Sequence, residues 1–108
     1  MLLKVLDGTG VLQTVVVASQ EAVADASGAI ATTAVSQVVT AASSLRSGFF
    51  FQNNGTHTMW LSELGSAVAG SGSISVAPGA TLPAGYPVST GAWNVLGTAG
   101  DAFTARIW

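Results

Sequence analysis

Eight charged side chains serve all 108 residues: Lys4, Arg46 and Arg106 against Asp7, Glu21, Asp25, Glu63 and Asp101. Soluble domains usually carry about a quarter charged residues; here the share is 7%. No charge lies between Glu63 and Asp101. A monomer keeps itself dispersed with a charged, patch-free surface and a net charge away from zero. This chain has a net charge of −2, 49% hydrophobic residues and a mean hydropathy of +0.56. Its exterior must be made of Ser, Thr, Ala, Gly and Asn, or be covered by other protein. The composition therefore points to a chain that lives in an assembly.

The length suits one domain, large enough to bury a core but with little margin. There is no cysteine, so disulfides and thiolate metal sites are excluded. Three basic residues far apart in sequence cannot neutralise a run of phosphates, which sets nucleic acid aside as a partner. The uncharged windows are interrupted by Ser, Thr, Gln and Gly, so no membrane span is expected. Met1-Leu2-Leu3 is broken at once by Lys4 and Asp7, and Val15–Ala18 is too short for a signal core. No cleaved targeting segment is expected.

The texture is of short β-type runs between Gly, Asn and Pro punctuation. Leu2–Leu6 and Val11–Ala18, joined by Asp7-Gly8-Thr9-Gly10, predict a first hairpin. Gln20–Gln37 is Ala-rich, with Val23, Ile30 and Val35 too sparse for a helical face, and Gly28 and Thr32-Thr33 oppose a long helix. A short helical turn over Gln20–Ala26 competes with an extended arm lying on the domain or on a neighbouring subunit. Gln37–Ala41 reads as a strand.

Phe49-Phe50-Phe51 and Thr58-Met59-Trp60-Leu61 read as two strands around Asn54-Gly55, the strongest short hairpin signal. A two-residue turn there pairs Phe51 with Thr58, Phe50 with Met59 and Phe49 with Trp60. Alternation then places Phe49, Phe51 and Trp60 on one face and Phe50, Met59 and Leu61 on the other. Both faces are apolar, so one should meet the core and the other a second sheet, the arm or another subunit. Further strands are expected at Ser73–Val76, Tyr86–Ser89, Ala92–Leu96 and Ala102–Trp108, with a tight turn at Leu82-Pro83-Ala84-Gly85. In the last strand Phe103, Ala105 and Ile107 share a face opposite Arg106 and Trp108. The predicted fold is all-β, a β-sandwich or jelly roll of short antiparallel strands, one domain over 1–108. Residues 1–44 are expected as N-terminal hairpin and Ala-rich arm, and 45–108 as the sandwich core.

The segment Leu45-Arg46-Ser47-Gly48-Phe49-Phe50-Phe51-Gln52-Asn53-Asn54-Gly55 resembles small β-sandwich virion proteins of tailed bacteriophages. Arg-x-Gly, an apolar strand, Gln-Asn, a Gly-bearing turn and a second apolar strand carry the likeness. Leu82-Pro83-Ala84-Gly85 and Ala92–Gly100 fit the same style. The resemblance covers 45–108, and the first 44 residues match thinly. It is shared by head decoration (cement) proteins, head fibres and tail components. It implies a structural role in a virion, made in the bacterial cytoplasm and seated on the capsid surface. The implied partners are copies of itself, a trimer among the arrangements, and the major capsid protein. Arg46, Gln52 and Asn53 are structural in such proteins and inherit no catalytic role. Low charge and a last residue of Trp108 favour a chain seated in a shell over one projecting into solvent.

His57, the single histidine, could meet Asp101 and a serine, but no Gly-x-Ser-x-Gly elbow is present. One histidine and five scattered carboxylates form no metal motif, and Gly8-x-Gly10 has Gln13 where a nucleotide fingerprint needs glycine. No cofactor and no enzymatic activity are expected. Asn54-Gly55-Thr56 matches the glycosylation sequon, but a tight turn explains the same residues. Trp60, Trp93, Trp108 and Tyr86 could form a carbohydrate platform, which gives the alternative of a tail, fibre or surface module that binds host glycan. Packing in core and interface is the competing account. The expected interface residues are Arg46, Phe49, Phe50, Phe51, Met59, Trp60, Trp93, Arg106 and Trp108. Arg46 and Arg106 should donate to backbone carbonyls or to Glu63 or Asp101; one of them crossing a subunit boundary competes with a surface arginine that has no partner.

Overall fold

The computed structural model describes residues 2–6, 12–16, 22–82 and 89–108. Ten strands, and no helix, lie among them: β1 (Leu2–Leu6), β2 (Leu12–Val16), β3 (Ala24–Asp25), β4 (Gly28–Ala29), β5 (Gln37–Thr40), β6 (Phe49–Asn53), β7 (Met59–Ser62), β8 (Ile74–Val76), β9 (Trp93–Leu96) and β10 (Ala102–Ile107). The architecture is an all-β sandwich of two antiparallel sheets, as the closely spaced turn residues predict.

The first hairpin forms as expected, with Leu2 opposite Val16 and Leu6 opposite Leu12. It is a separate two-stranded sheet and shares no ladder with the sandwich. Its predicted turn, Asp7–Gly10, lies outside the described residues, as do the Leu82–Gly85 turn beyond Leu82 and most of the Tyr86–Ser89 strand.

Sheet I is built on β10, flanked by β6 on one edge and by β3 and β4 in succession on the other. Sheet II runs β5-β9-β7-β8. The inner face of sheet I contributes Phe49, Phe51, Phe103 and Ala105; sheet II contributes Met59, Leu61, Val76, Trp93 and Val95, and Ile30 joins them. Phe49 stacks on Trp93 across the two sheets, with ring centroids 4.4 Å apart and planes 6° from parallel. Phe51 stacks on Phe103 within sheet I at 5.3 Å. The last strand follows its predicted alternation, with Phe103, Ala105 and Ile107 toward the core and Arg106 outward.

The hairpin expected around Asn54-Gly55 does not form. β6 pairs along its whole length with β10, from Phe49 opposite Ile107 to Asn53 opposite Phe103. β7 pairs with β8 and β9 in the other sheet. Neither Asn54 nor Gly55 has positive φ, so the primed turn is absent. The physical reason lies in side-chain parity. A two-residue hairpin would put Met59 and Leu61 on the face opposite Phe49 and Phe51. With the strands in different sheets, all four side chains enter one core. The predicted grouping of Phe49 and Phe51 with Trp60 therefore fails, and Trp60 faces outward.

The Ala-rich segment contains no helical turn from Ala22 onward. It lies on its own domain. Asp25 and Ala24 pair with Arg106 and Ile107, and Ala29 pairs with Ala102. Between them the Ser27 hydroxyl stands in for backbone, accepting from the Ala105 N–H at 2.9 Å. The chain thus crosses the whole edge of β10 with one short break. β5 then pairs with β9. Strands from 24–40 complete both sheets, so the sandwich extends well before residue 45.

Candidate functional site

Arg46 leads into β6 and its side chain turns inward, 6% exposed. Its Nη1 donates to the carbonyls of Ser89 at 2.8 Å and Gly91 at 2.6 Å. Its Nη2 donates to the Ala41 carbonyl at 2.5 Å and toward the Thr40 hydroxyl at 3.4 Å. Five donors on a planar fork suit this task, since loop carbonyls converge there without strand partners. Burial lowers the guanidinium pKa, and arginine remains charged. The expectation of backbone acceptors holds for Arg46. These acceptors all belong to the same chain.

Arg106 takes a partner that was not expected. Its Nη1 meets the Asp25 carboxylate at 2.6 Å and the Ser27 hydroxyl at 2.8 Å. Hydrogen bonds from the Ser27 side chain and backbone, and the nearby Arg106 charge, hold the Asp25 carboxyl below its ordinary pKa despite some desolvation. Asp101, expected by number among its acceptors, is held by His57 instead.

Asn53, a residue read from sequence only as part of a structural motif, closes the gap between the sheets. It is fully buried. Its Nδ2 donates to the carbonyls of His57 at 2.7 Å and Val76 at 2.9 Å, and its Oδ1 accepts from the Gly55 N–H at 2.8 Å. Its backbone N–H donates to Ala80 and its carbonyl accepts from Gly79. One amide therefore ties the end of β6 to the 54–58 crossover and to β8. Gly55 is required beside it, because a Cβ there would come within 2.5 Å of the Asp101 Cβ.

The structure brings His57 and Asp101 together, Nδ1 to Oδ2 at 3.0 Å, and Asp101 also accepts the His57 backbone N–H at 3.1 Å. Thr56 Oγ1 approaches the same Nδ1 at 3.2 Å. A hydroxyl relay needs its nucleophile on Nε2 when the carboxylate holds Nδ1, and among the described residues the hydroxyl beside the ring, Thr56 Oγ1, is on Nδ1. Among the described residues no three His, Cys, Asp or Glu side chains group as a metal site. The contact is a latch between two sheet-to-sheet connections. Desolvation pushes the Asp101 carboxyl up, but hydrogen bonds from the His57 side chain and the Thr56 and His57 backbone outweigh it, and its pKa is lowered. A depressed carboxylate stabilises the fold above its unfolded value, 3.8 for Asp101, and that stability is lost as pH falls through the folded value. Stability of the wild type should therefore fall on acidification through that range. In Asp101→Asn the fall should be shallower, as thermal melts across an acid pH series will show.

The expected interface set divides sharply. Phe49, Phe51, Met59 and Trp93 are buried in the domain's own core. They are buried because strands expected to pair in one sheet face each other from two. Phe50 is exposed on the outer face of sheet I, opposite Arg106. Trp60 is half-buried on the outer face of sheet II, beside Leu96 and Ser75. Trp108 is half-buried over Gly48, whose missing side chain leaves room for the indole, and its carbonyl accepts from the Ser47 and Gly48 N–H groups. The described tryptophans thus lie on one sheet, on the other and between them, and form no common platform.

Val35, Val38, Leu64 and Val68, none of them expected at an interface, are all exposed. Leu64 is 86% exposed. The loop that carries it is tied to sheet II: Asn94 Nδ2 donates to the Gly65 carbonyl, and the Ala67 N–H donates to the Ser36 hydroxyl. Asn94 lies opposite Val38 in the ladder. These bonds bring the loop that carries Leu64 and Val68 toward β5, the strand of Val38. Nothing in the local sequence signals this docking of the loop.

No protein-family model matches the chain, and neither a curated protein nor a solved structure is similar to it at a significant level.

Proposed function

We propose that this chain is a structural protein of a tailed-phage virion, a capsid decoration or cement protein. It acts by adhesion, binding copies of itself and the major capsid protein so that neighbouring capsomers are held together. The observation that carries the reading is how little charge the sandwich presents. Arg46 is turned inward, Arg106 is matched by Asp25, and Asp101 is held by His57. Glu63 apart, the rest of the described sandwich surface is hydroxyl, amide and small apolar, and Val35, Val38, Leu64 and Val68 are exposed on it. Exposed aliphatic side chains without charge mark surfaces that other protein covers. The likeness of 45–108 to small virion sandwiches supplies the setting. Burial of Trp93 weighs against the glycan-binding alternative, since it removes one ring from the proposed platform.

Quantitative mass spectrometry of purified particles tests the setting. A copy number commensurate with the shell supports decoration; a handful of copies moves the protein to the tail or a unique vertex, and absence overturns the virion reading. Sedimentation tests the adhesion. Wild-type protein should associate as concentration rises, and Leu64→Asp should shift the association about tenfold or more toward monomer, as burying an unpaired charge costs more than 1.4 kcal/mol. A monodisperse wild-type monomer at high concentration overturns it.

A further inference from the structure

We propose that Asn54 is a deamidation site that the fold holds shut, so that the side chain converts only in chains whose β6–β7 crossover has opened. The chemistry is written into Asn54-Gly55. The Gly55 backbone nitrogen loses its proton and attacks the Asn54 Cγ. The C–N bond formed closes a succinimide, and Nδ2 leaves as ammonia. Water then opens the ring to aspartate or isoaspartate. Glycine at the second position offers no side chain to obstruct the attack, which is why this dipeptide is the susceptible one. Asn54 is solvent-exposed, so water reaches the site and only geometry can protect it.

The geometry does so from both ends of the new bond. The attacking nitrogen is occupied: the Gly55 N–H donates to the buried Asn53 Oδ1 at 2.8 Å. Asn53 is itself fixed by the His57 and Val76 carbonyls. The amide under attack is tethered, with Asn54 Nδ2 donating to Thr104 Oγ1 on β10 at 2.6 Å. The backbone between them cannot turn freely. The Asn54 N–H donates to the Ala102 carbonyl at 3.0 Å, and Gly55 packs against the Asp101 side chain with no space for even a methyl group. Ring closure requires the Asn54 side chain to leave Thr104 and the Gly55 N–H to leave Asn53 together. That is a local opening of the crossover, and local openings of native proteins have their own free energies. The product would not close again as before. An aspartate at 54 has no N–H for Thr104 and adds a carboxylate close to Asp101; isoaspartate also lengthens the backbone. Conversion therefore marks an opened chain irreversibly. This inference is independent of the virion reading.

Peptide mapping by mass spectrometry tests it on the full chain held in mildly alkaline buffer, folded or in urea. The folded chain should deamidate at Asn54 at least about tenfold more slowly than the unfolded one, the factor set by an opening cost of about 1.4 kcal/mol. Thr104→Val, a shape-conserving change on an outward-facing position, should accelerate Asn54 conversion in the folded state; circular dichroism confirms that it is folded. Asn53→Ser, which shortens the guard on the Gly55 N–H, should accelerate it further. Equal rates in folded and unfolded wild type overturn the proposal. So does a folded Thr104→Val protein that converts no faster than wild type.

Discussion

Replacing Trp93 by alanine should lower the unfolding free energy by about 4 kcal/mol, the range for emptying a fully buried tryptophan site. Trp93 is completely inaccessible and stacks on Phe49 from the opposite sheet. Its indole is the largest filled volume between the two layers. The surrounding strands are pinned by their ladders and cannot close on the cavity, so both the transfer loss and the cavity loss are felt. Small domains have about 5–15 kcal/mol in total, and a melting point lower by about 20 °C is expected from this loss. Trp93→Phe keeps a ring against Phe49 and should cost roughly half as much. Urea unfolding of the three proteins checks both values. A loss below about 1 kcal/mol for the alanine variant, within the spread of ordinary surface substitutions, would mean that the sheets do not close on this side chain.

Arg46→Ala should cost about 3 kcal/mol, because it leaves the carbonyls of Ala41, Ser89 and Gly91 without their donor. These belong to two separate stretches of chain, before β6 and before β9. No other side chain bridges them in this way among the described residues. Arg46→Met separates the contributions. It fills most of the volume but donates nothing, so it should be nearly as damaging as alanine if hydrogen bonding dominates. Arg46→Lys should fall between, since a single ammonium cannot span acceptors that a planar fork reaches on two sides. Thermal melts of the three variants rank them. Equal stability of the methionine variant and wild type would show that the side chain acts by packing alone.

The strand texture was legible because it is local. β-branched and aromatic runs between glycine and asparagine clusters place β2, β5, β6, β7, β8, β9 and β10 within a residue or two. Alternation within β10 was legible for the same reason. Backbone carbonyls were among the acceptors that the scarcity of carboxylates suggested for Arg46, but its burial was not legible. The two-residue strands β3 and β4 were not legible. They are held by Asp25, Ser27 and the edge of β10, some eighty positions later in the chain. The docking of the β7–β8 loop toward β5 was equally hidden, being made by the side chains of Ser36 and Asn94.

Asn54-Gly55 shows where the division falls. By itself the dipeptide specifies a place where the chain can turn and an amide prone to cyclise. The low charge specifies an exterior that does not repel its neighbours, and the spacing of turn residues specifies short antiparallel strands. Which strands become neighbours is not in any window of the sequence. β6 takes β10 and leaves β7 to the other sheet because only that division sends Phe49, Phe51, Met59 and Leu61 into one core. Asn53 can then spend its whole amide joining the layers. The hairpin would have satisfied the local turn preference, and the sandwich buries more apolar surface; over a full core that second term is the larger.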